Sequence, residues 1–263
     1  HGRYTRFLES ADRRVRKEAF EAMYKTYGQY KNTFASTLAG TVKKDNFYAK
    51  VRNYSNAREA ALSANNIPES VYENLVGAIH DNLDLLHRYV RLRKKILGVE
   101  ELHMYDLYTP LVKDVKMEIP YEDAKNYVLN GLAPLGEDYV SILKEGFENR
   151  WVDVHENRGK RSGAYSSGAY GTNPYILMNW QDNVNNLFTL AHEFGHSMHS
   201  YYTRETQPYP YASYSIFVAE VASTCNEELL FDHLMKTIED PQQKIYLLNH
   251  WLDGFRATVF RQT

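Results

Sequence analysis

Residues 183–202 have the sequence NVNNLFTLAHEFGHSMHSYY. Asp182 or Asn183 suits the N-cap of a helix, and the stretch predicts one long helix that runs to about Tyr202. Within it lies the pattern His-Glu-x-x-His, with the histidines at 192 and 196. Side chains four residues apart project from the same face of a helix, so two imidazoles can reach one metal ion. The stretch therefore predicts a catalytic zinc site on a helix.

A zinc site of this type needs a third protein ligand on a neighbouring element. Glu220 lies 24 residues after His196, in a second predicted helix from about Ser213 to Met235, and the loop before that helix is long enough to turn the chain back. Its neighbours are apolar, where a carboxylate seldom lacks a partner. The alternatives, two histidines that merely pack and a surface carboxylate, do not explain why all three residues occur together.

The predicted centre is one zinc ion per chain, bound by His192, His196 and Glu220, with water in the fourth position. Zinc lowers the pKa of that water. Glu193 flanks the open side and is the predicted catalytic residue, which accepts the proton of the water and later delivers it to the leaving amine. No covalent intermediate is expected.

Other polar residues near the predicted centre have less certain roles. Glu227 and Glu228 are candidates to orient a ligand imidazole, with a solvated helix end as the alternative. His199 is expected to line the cleft rather than bind metal. Cys225 is expected to be a small buried residue without a role as nucleophile, because the sequence places no activating base beside it.

The rest of the chain predicts a mainly α fold. Residues 1–148 form a predicted helical lobe, and residues 149–263 form a predicted zinc-site region in which a small β-sheet precedes the His-Glu-x-x-His helix. The sheet is predicted from the alternation at 151–155 and the apolar run at 175–178, with several glycines between them. The other predicted helices are Asp45–Tyr54, Ala57–Ala64, Pro68–Leu97 ended by Gly98, Pro120–Asn130, Leu135–Phe147 and a last one that starts at Asp240 and Pro241 and runs to the end.

Composition excludes several classes of protein. The 263 residues include 31 Lys and Arg against 33 Asp and Glu, 43% hydrophobic residues and a net charge of −2, which is typical of a folded soluble domain. Without a block of like charges, nucleic acid is not an expected partner. The chain lacks an apolar run that could span a bilayer, its first thirty residues are too charged for a signal peptide, and it has one cysteine, so we expect a cytoplasmic protein without a membrane partner. The oligomeric state stays open.

Four motifs carry a resemblance to a known family. They are Arg161-Ser-Gly-Ala-Tyr165, Asn179-Trp180, His192-Glu-Phe-Gly-His-Ser-Met-His199 and Phe217-Val-Ala-Glu-Val-Ala-Ser223. In these residues, and in Tyr105-Asp-Leu-Tyr108 upstream, the chain resembles the oligoendopeptidase F branch of the thimet oligopeptidase family of zinc peptidases. The resemblance implies a mostly helical, zincin-like peptidase with a deep channel that admits short unstructured peptides and excludes folded proteins.

The resemblance and the chemistry together predict a zinc-dependent endopeptidase that hydrolyses internal bonds of short peptides. The strand near Gly163, Ala164 and Tyr165 is expected to be an edge against which the substrate backbone pairs. Family members are longer and carry oxyanion-stabilising His and Tyr residues in a C-terminal segment, so this chain is expected to be a fragment. Two alternatives remain open: a related zinc exopeptidase that removes single residues or dipeptides, and a truncated lobe that binds zinc or peptide without turnover.

Overall fold

A computed structural model describes residues 3–112, 115 and 117–263, except for the side chain of Arg3. The chain divides into two compact units, one of His1–Lys113 with Asn249–Thr263 and one of Asp114–Leu248. These bounds differ from the predicted boundary at 148/149. The predicted boundary marks the change from helical to strand-like sequence, whereas the two compact units are defined by which elements pack on each other. The helices at 121–148 pack on the His-Glu-x-x-His helix and so fall in the second unit.

The first unit is helical in the residues described. Its helices are α1 (Arg3–Leu8), α2 (Arg13–Gly28), α3 (Lys31–Val51), α4 (Ala57–Ser63), α5 (Glu69–Asp81) and α6 (Leu83–Leu97). The prediction of one helix over Pro68–Leu97 is wrong at Asn82. Its side-chain amide donates to the carbonyl of Ala78, and its backbone leaves helical geometry at φ −112°, which separates α5 from α6. Gly98 ends α6, as predicted, and it adopts the left-handed conformation.

The second unit contains α7 (Tyr121–Gly131), α8 (Glu137–Glu148), α9 (Val184–Thr206), α10 (Ile216–Thr237) and the first half of α11 (Pro241–Phe255). The end of α11 and the π-helical turn at Arg256–Phe260 belong to the first unit. Its sheet has the order β1-β3-β2, formed by β1 (Val152–Asp153), β2 (Tyr165–Ser167) and β3 (Tyr175–Leu177). β1 and β3 are parallel, whereas β2 pairs antiparallel with β3, with Ser166 opposite Ile176. The predicted mainly α fold with a small sheet before the His-Glu-x-x-His helix is confirmed.

The core of the second unit lies around α9. Leu187, Leu190 and Phe194 are fully buried on this helix. Trp151, directly before β1, packs in the same cluster. Removing this much apolar surface from water is the main stabilising contribution to such a unit. α9 is therefore held between the sheet and the helices α7, α8 and α10. Within the described ranges, the helices are too short or too polar to cross a membrane.

Candidate metal centre

The two histidines of the motif lie in the middle of α9. Asn183 caps this helix by accepting a hydrogen bond from the backbone of Asn186, in agreement with the predicted N-terminus. The side chains of His192 and His196 are 27% and 18% exposed, so both are partly buried and still accessible to solvent. The rings stand nearly perpendicular, at 86° to each other.

α10 passes very close to α9 beside this motif. A Cβ atom added to Gly195 would lie 2.5 Å from the Cα of Ser223 and 2.7 Å from the carbonyl oxygen of Ala222. Real Cβ atoms do not approach backbone so closely, so the crossing of the two helices requires glycine at 195. The close approach brings Glu220, one turn before Ser223, up to the histidines.

The three predicted ligands meet at one point. The Nε2 atoms of His192 and His196 are 3.1 Å apart, and Oε2 of Glu220 lies 3.3 Å from the first and 3.5 Å from the second. Ser223 Oγ donates to the same carboxylate oxygen at 2.8 Å, which fixes its orientation. Among the described residues, these three form the group of His and carboxylate side chains that could hold a metal ion.

The triangle of ligand atoms fits zinc. Zinc bonds of 2.0–2.2 Å in a tetrahedron place neighbouring ligand atoms about 3.3 to 3.6 Å apart. The observed separations of 3.3 and 3.5 Å lie within that range, and the third, 3.1 Å, is slightly shorter. Two imidazole nitrogens and one carboxylate oxygen are also the donor set that catalytic zinc sites use, with the fourth position open.

Glu227 contacts the face of His192 that points away from the triangle. Its Oε1 atom lies 2.6 Å from Nδ1 of His192, one turn of α10 beyond Ser223. A ligand histidine usually donates its second ring nitrogen to a carboxylate, which fixes the tautomer and leaves the other nitrogen free for the metal. Of the two predicted candidates, Glu227 has the position to orient a ligand, and Glu228 is exposed on the helix.

Glu193 is buried beside the sheet, at 6% exposure. Burial raises its pKa above the usual value, although the charge of His192 and a hydrogen bond from the backbone N–H of Ser166 act in the opposite direction. The hydroxyl of Ser166 also bonds to Ser197, one turn further along α9, at 2.8 Å. Strand β2 is thus attached to α9 at the level of Glu193, a contact that the sequence pattern did not reveal.

Two expectations about neighbouring residues have different outcomes. His199 does not join the triangle and stacks on Tyr214, with ring centroids 3.6 Å apart. The prediction that Cys225 is buried is wrong, because this residue is exposed. The apolar neighbours of Glu220 do not bury it either, because Ile216, Phe217 and Val221 are 73%, 57% and 66% exposed and the side chain of Glu220 is 56% exposed.

Replacing Gly195 by alanine should open the α9–α10 contact. The added methyl group would overlap backbone atoms of Ser223, which cannot move without moving α10 and with it Glu220. We expect the free energy of unfolding to fall by about 1 to 3 kcal/mol and zinc affinity to fall as well. Urea unfolding and competition with a chelator measure the two effects.

The matched control is Gly77→Ala, in the middle of α5, where an added Cβ meets nothing within 4 Å. Alanine is the better helix former by about 1 kcal/mol, so this variant should be as stable as the original or more so, with unchanged zinc binding. Equal stability and zinc affinity for Gly195→Ala would show that the helices do not need their close approach.

Comparison with known proteins gives consistent matches over the whole chain. The sequence profile of peptidase family M3 matches residues 6–263. All 263 residues align with Oligopeptidase PepF of Bacillus subtilis at 71% identity and with Group B oligopeptidase PepB of Streptococcus agalactiae at 52%. The crystal structure of oligoendopeptidase-F from Enterococcus faecium matches with a TM-score of 0.69 and 46% identity, again over the whole chain.

The matched relatives are much longer than this chain. The alignment covers 39% of the B. subtilis protein, 44% of the S. agalactiae protein and 39% of the E. faecium structure. The chain therefore spans about two fifths of the length of these relatives.

Proposed function

The chain belongs to peptidase family M3, and from this premise we propose that it carries the zinc centre of an endopeptidase that cleaves short, unstructured peptides. His192, His196 and Glu220 hold the ion in this proposal, and Glu193 is the catalytic residue. The observation that carries it is the triangle of two imidazole nitrogens and one carboxylate oxygen with sides of 3.1, 3.3 and 3.5 Å.

Glu193 has the position that a general base needs beside a metal-bound water. It follows His192 directly on α9 and is not a member of the triangle, which supports a carboxylate beside the open side. A zinc ion, when bound, would lower the pKa of a water molecule and polarise the peptide carbonyl. Glu193 accepts a proton from the attacking water and returns it to the leaving nitrogen.

Two neighbours keep this machinery in place. The carboxylate of Glu227 holds the ring of His192 so that Nε2 faces the triangle. The backbone N–H of Ser166 holds Glu193 at the edge of the sheet. Both contacts fix the orientation of a reacting group before substrate arrives, which lowers the entropic cost of reaching the transition state.

The preference for short peptides rests on the edge of the sheet. β2 is the outer strand of the order β1-β3-β2, and Tyr165 and Ser167 on it are exposed. A peptide added alongside β2 must be extended, and main-chain hydrogen bonds read no side chains. A folded protein cannot supply such a segment. The name oligoendopeptidase-F, carried by the E. faecium relative, supports the cleavage of internal bonds in this proposal. With a single cysteine and a peptide substrate, a cytoplasmic location completes the proposal.

The test uses a polypeptide of the full length of the relatives, incubated with a defined short peptide and with the same sequence inside a disulfide-linked folded protein. We expect internal cleavage of the free peptide, read by mass spectrometry, no cleavage of the folded form, and loss of activity with a chelator that returns on addition of zinc. Removal of residues one or two at a time from an end would contradict the endopeptidase assignment. Turnover that survives the chelator would contradict the zinc mechanism.

A further inference from the structure

Asn226 is a buried polar residue that the proposed chemistry does not use. It lies on α10 and is 1% exposed. Its side-chain nitrogen donates to the backbone carbonyl of Ala191 on α9 at 3.0 Å, and its side-chain oxygen accepts from the hydroxyl of Tyr139 on α8 at 3.0 Å. A buried amide is costly unless it is hydrogen-bonded. Here both ends of the amide have a partner, and together they join three helices.

The bond to Ala191 is additional to the helical pattern. In an α-helix the carbonyl of residue 191 accepts from the N–H of residue 195, and the second lone pair of the oxygen remains for another donor. Asn226 uses it from a different helix. The bond is therefore not one of the hydrogen bonds that form α9. It connects α9 to α10.

The location of this bond matters for the predicted metal centre. Ala191 directly precedes His192, and Asn226 directly precedes Glu227. The bond thus lies one residue from each partner of the 2.6 Å contact between His192 and Glu227. Since a helix rises 1.5 Å per residue, a slide of α10 along α9 by a single residue would move Glu227 by about 1.5 Å and break that contact.

The packing of Gly195 against Ser223 does not prevent such a slide. It permits the helices to approach, but van der Waals contacts are non-directional and individually weak. A buried hydrogen bond is directional, and a single buried Asn can fix the register of packed helices. The bond from Asn226 to Ala191 is a contact of this kind, and it lies at the level of the histidines.

We propose that Asn226, supported by Tyr139, is a positioning residue that fixes the register of α10 against α9, so that Glu220 and Glu227 both meet the histidines of the zinc site. The inference rests on the proposed function, which supplies the ion. It assigns a role in metal binding to a residue that neither binds the ion nor contacts a ligand side chain.

The test variant combines Asn226→Leu with Tyr139→Phe, which keeps the branched shape of the first side chain and the ring of the second, and leaves no hydroxyl without its partner. Zinc affinity is measured by competition with a chelator, and the geometry of the site by the visible absorption of bound Co²⁺. We expect the dissociation constant of zinc to rise at least about tenfold, the usual range for loss of a residue behind a ligand, with an altered cobalt spectrum. Asn226→Ala serves the same purpose where leucine prevents folding.

Two controls separate register from general stability. Tyr139→Phe alone keeps the bond from Asn226 to Ala191 and should bind zinc nearly as the wild type does. Leu234→Ala removes a buried side chain further along α10, so it should lower the unfolding midpoint and leave zinc affinity unchanged.

Unchanged zinc affinity and cobalt spectrum in the double variant would overturn the inference, as would a loss of affinity in Leu234→Ala as large as in the double variant. A wild-type chain that binds no zinc would overturn the proposed function and this inference with it. If the wild type binds zinc and the double variant binds it equally well, the inference is wrong and the proposed function stands.

Discussion

Glu193→Gln is expected to keep the bound metal and to lose hydrolysis by a factor of about 10² to 10⁴ in a polypeptide of the relatives' full length. Glutamine has nearly the same shape as glutamate, and an amide cannot accept the proton from the attacking water. Glu193 is not a member of the ligand triangle, so the substitution leaves the donor atoms of His192, His196 and Glu220 in place. The rate should fall in kcat, because the lost interaction develops in the transition state.

The measurement is peptide hydrolysis beside zinc content on the same sample. Glu205→Gln is the matched control, since it makes the same change on an exposed position near the end of α9 and should leave the rate unaltered. A Glu193→Gln protein that turns over peptide at the wild-type rate would remove Glu193 from the catalytic role. A protein that has lost its zinc would place Glu193 among the groups that hold the ion.

His192→Ala is expected to abolish zinc retention. The substitution removes one of the three donor atoms, and two ligands do not hold zinc against dialysis in a site of this type. It also leaves Glu227 without the imidazole to which it is bonded at 2.6 Å. The carboxylates of Glu227 and Glu220, which contact opposite sides of the ring, are then no longer separated by it. Elemental analysis after dialysis reads the result directly.

The control for this variant is His155→Ala, because His155 is exposed and lies outside the triangle. It should retain zinc as the wild type does. If His192→Ala retains as many zinc ions per chain as the wild type, the ion is bound at another site.

The sequence was sufficient for those features of the fold and site that depend on local geometry. The spacing of His192 and His196 on a helix places both rings on one side, whatever surrounds them. Glu220 was predictable because a zinc site demands a third ligand and the next helix offers a carboxylate, although the apolar neighbours that supported the choice are exposed. The structure brings these three together, and their binding of zinc stays a prediction.

Contacts between elements could not be predicted in the same way. Nothing in the sequence marks Gly195 as the point where α10 crosses, because that requirement arises from the position of Ser223. The bond of Asn226 to Ala191 joins residues 35 positions apart. Cys225 was expected to be buried from its residue type alone, whereas on α10 it is exposed.

The break at Asn82 has a local cause that periodicity does not detect. Apolar residues continue at helical spacing through both α5 and α6, so the pattern predicts one helix. The side chain of Asn82 competes for a backbone carbonyl, as short polar side chains do, and ends the first helix. Asparagine is a residue type that can end a helix, but the prediction gave more weight to the continuous hydrophobic pattern.

The zinc content of the folded wild-type chain tests the central claim most directly. The sample is reconstituted with zinc, dialysed and analysed for metal and protein, with circular dichroism to establish that it is folded. The arrangement of His192, His196 and Glu220 predicts one zinc ion per chain. A folded sample that retains no zinc would contradict the metal centre and the mechanism that depends on it.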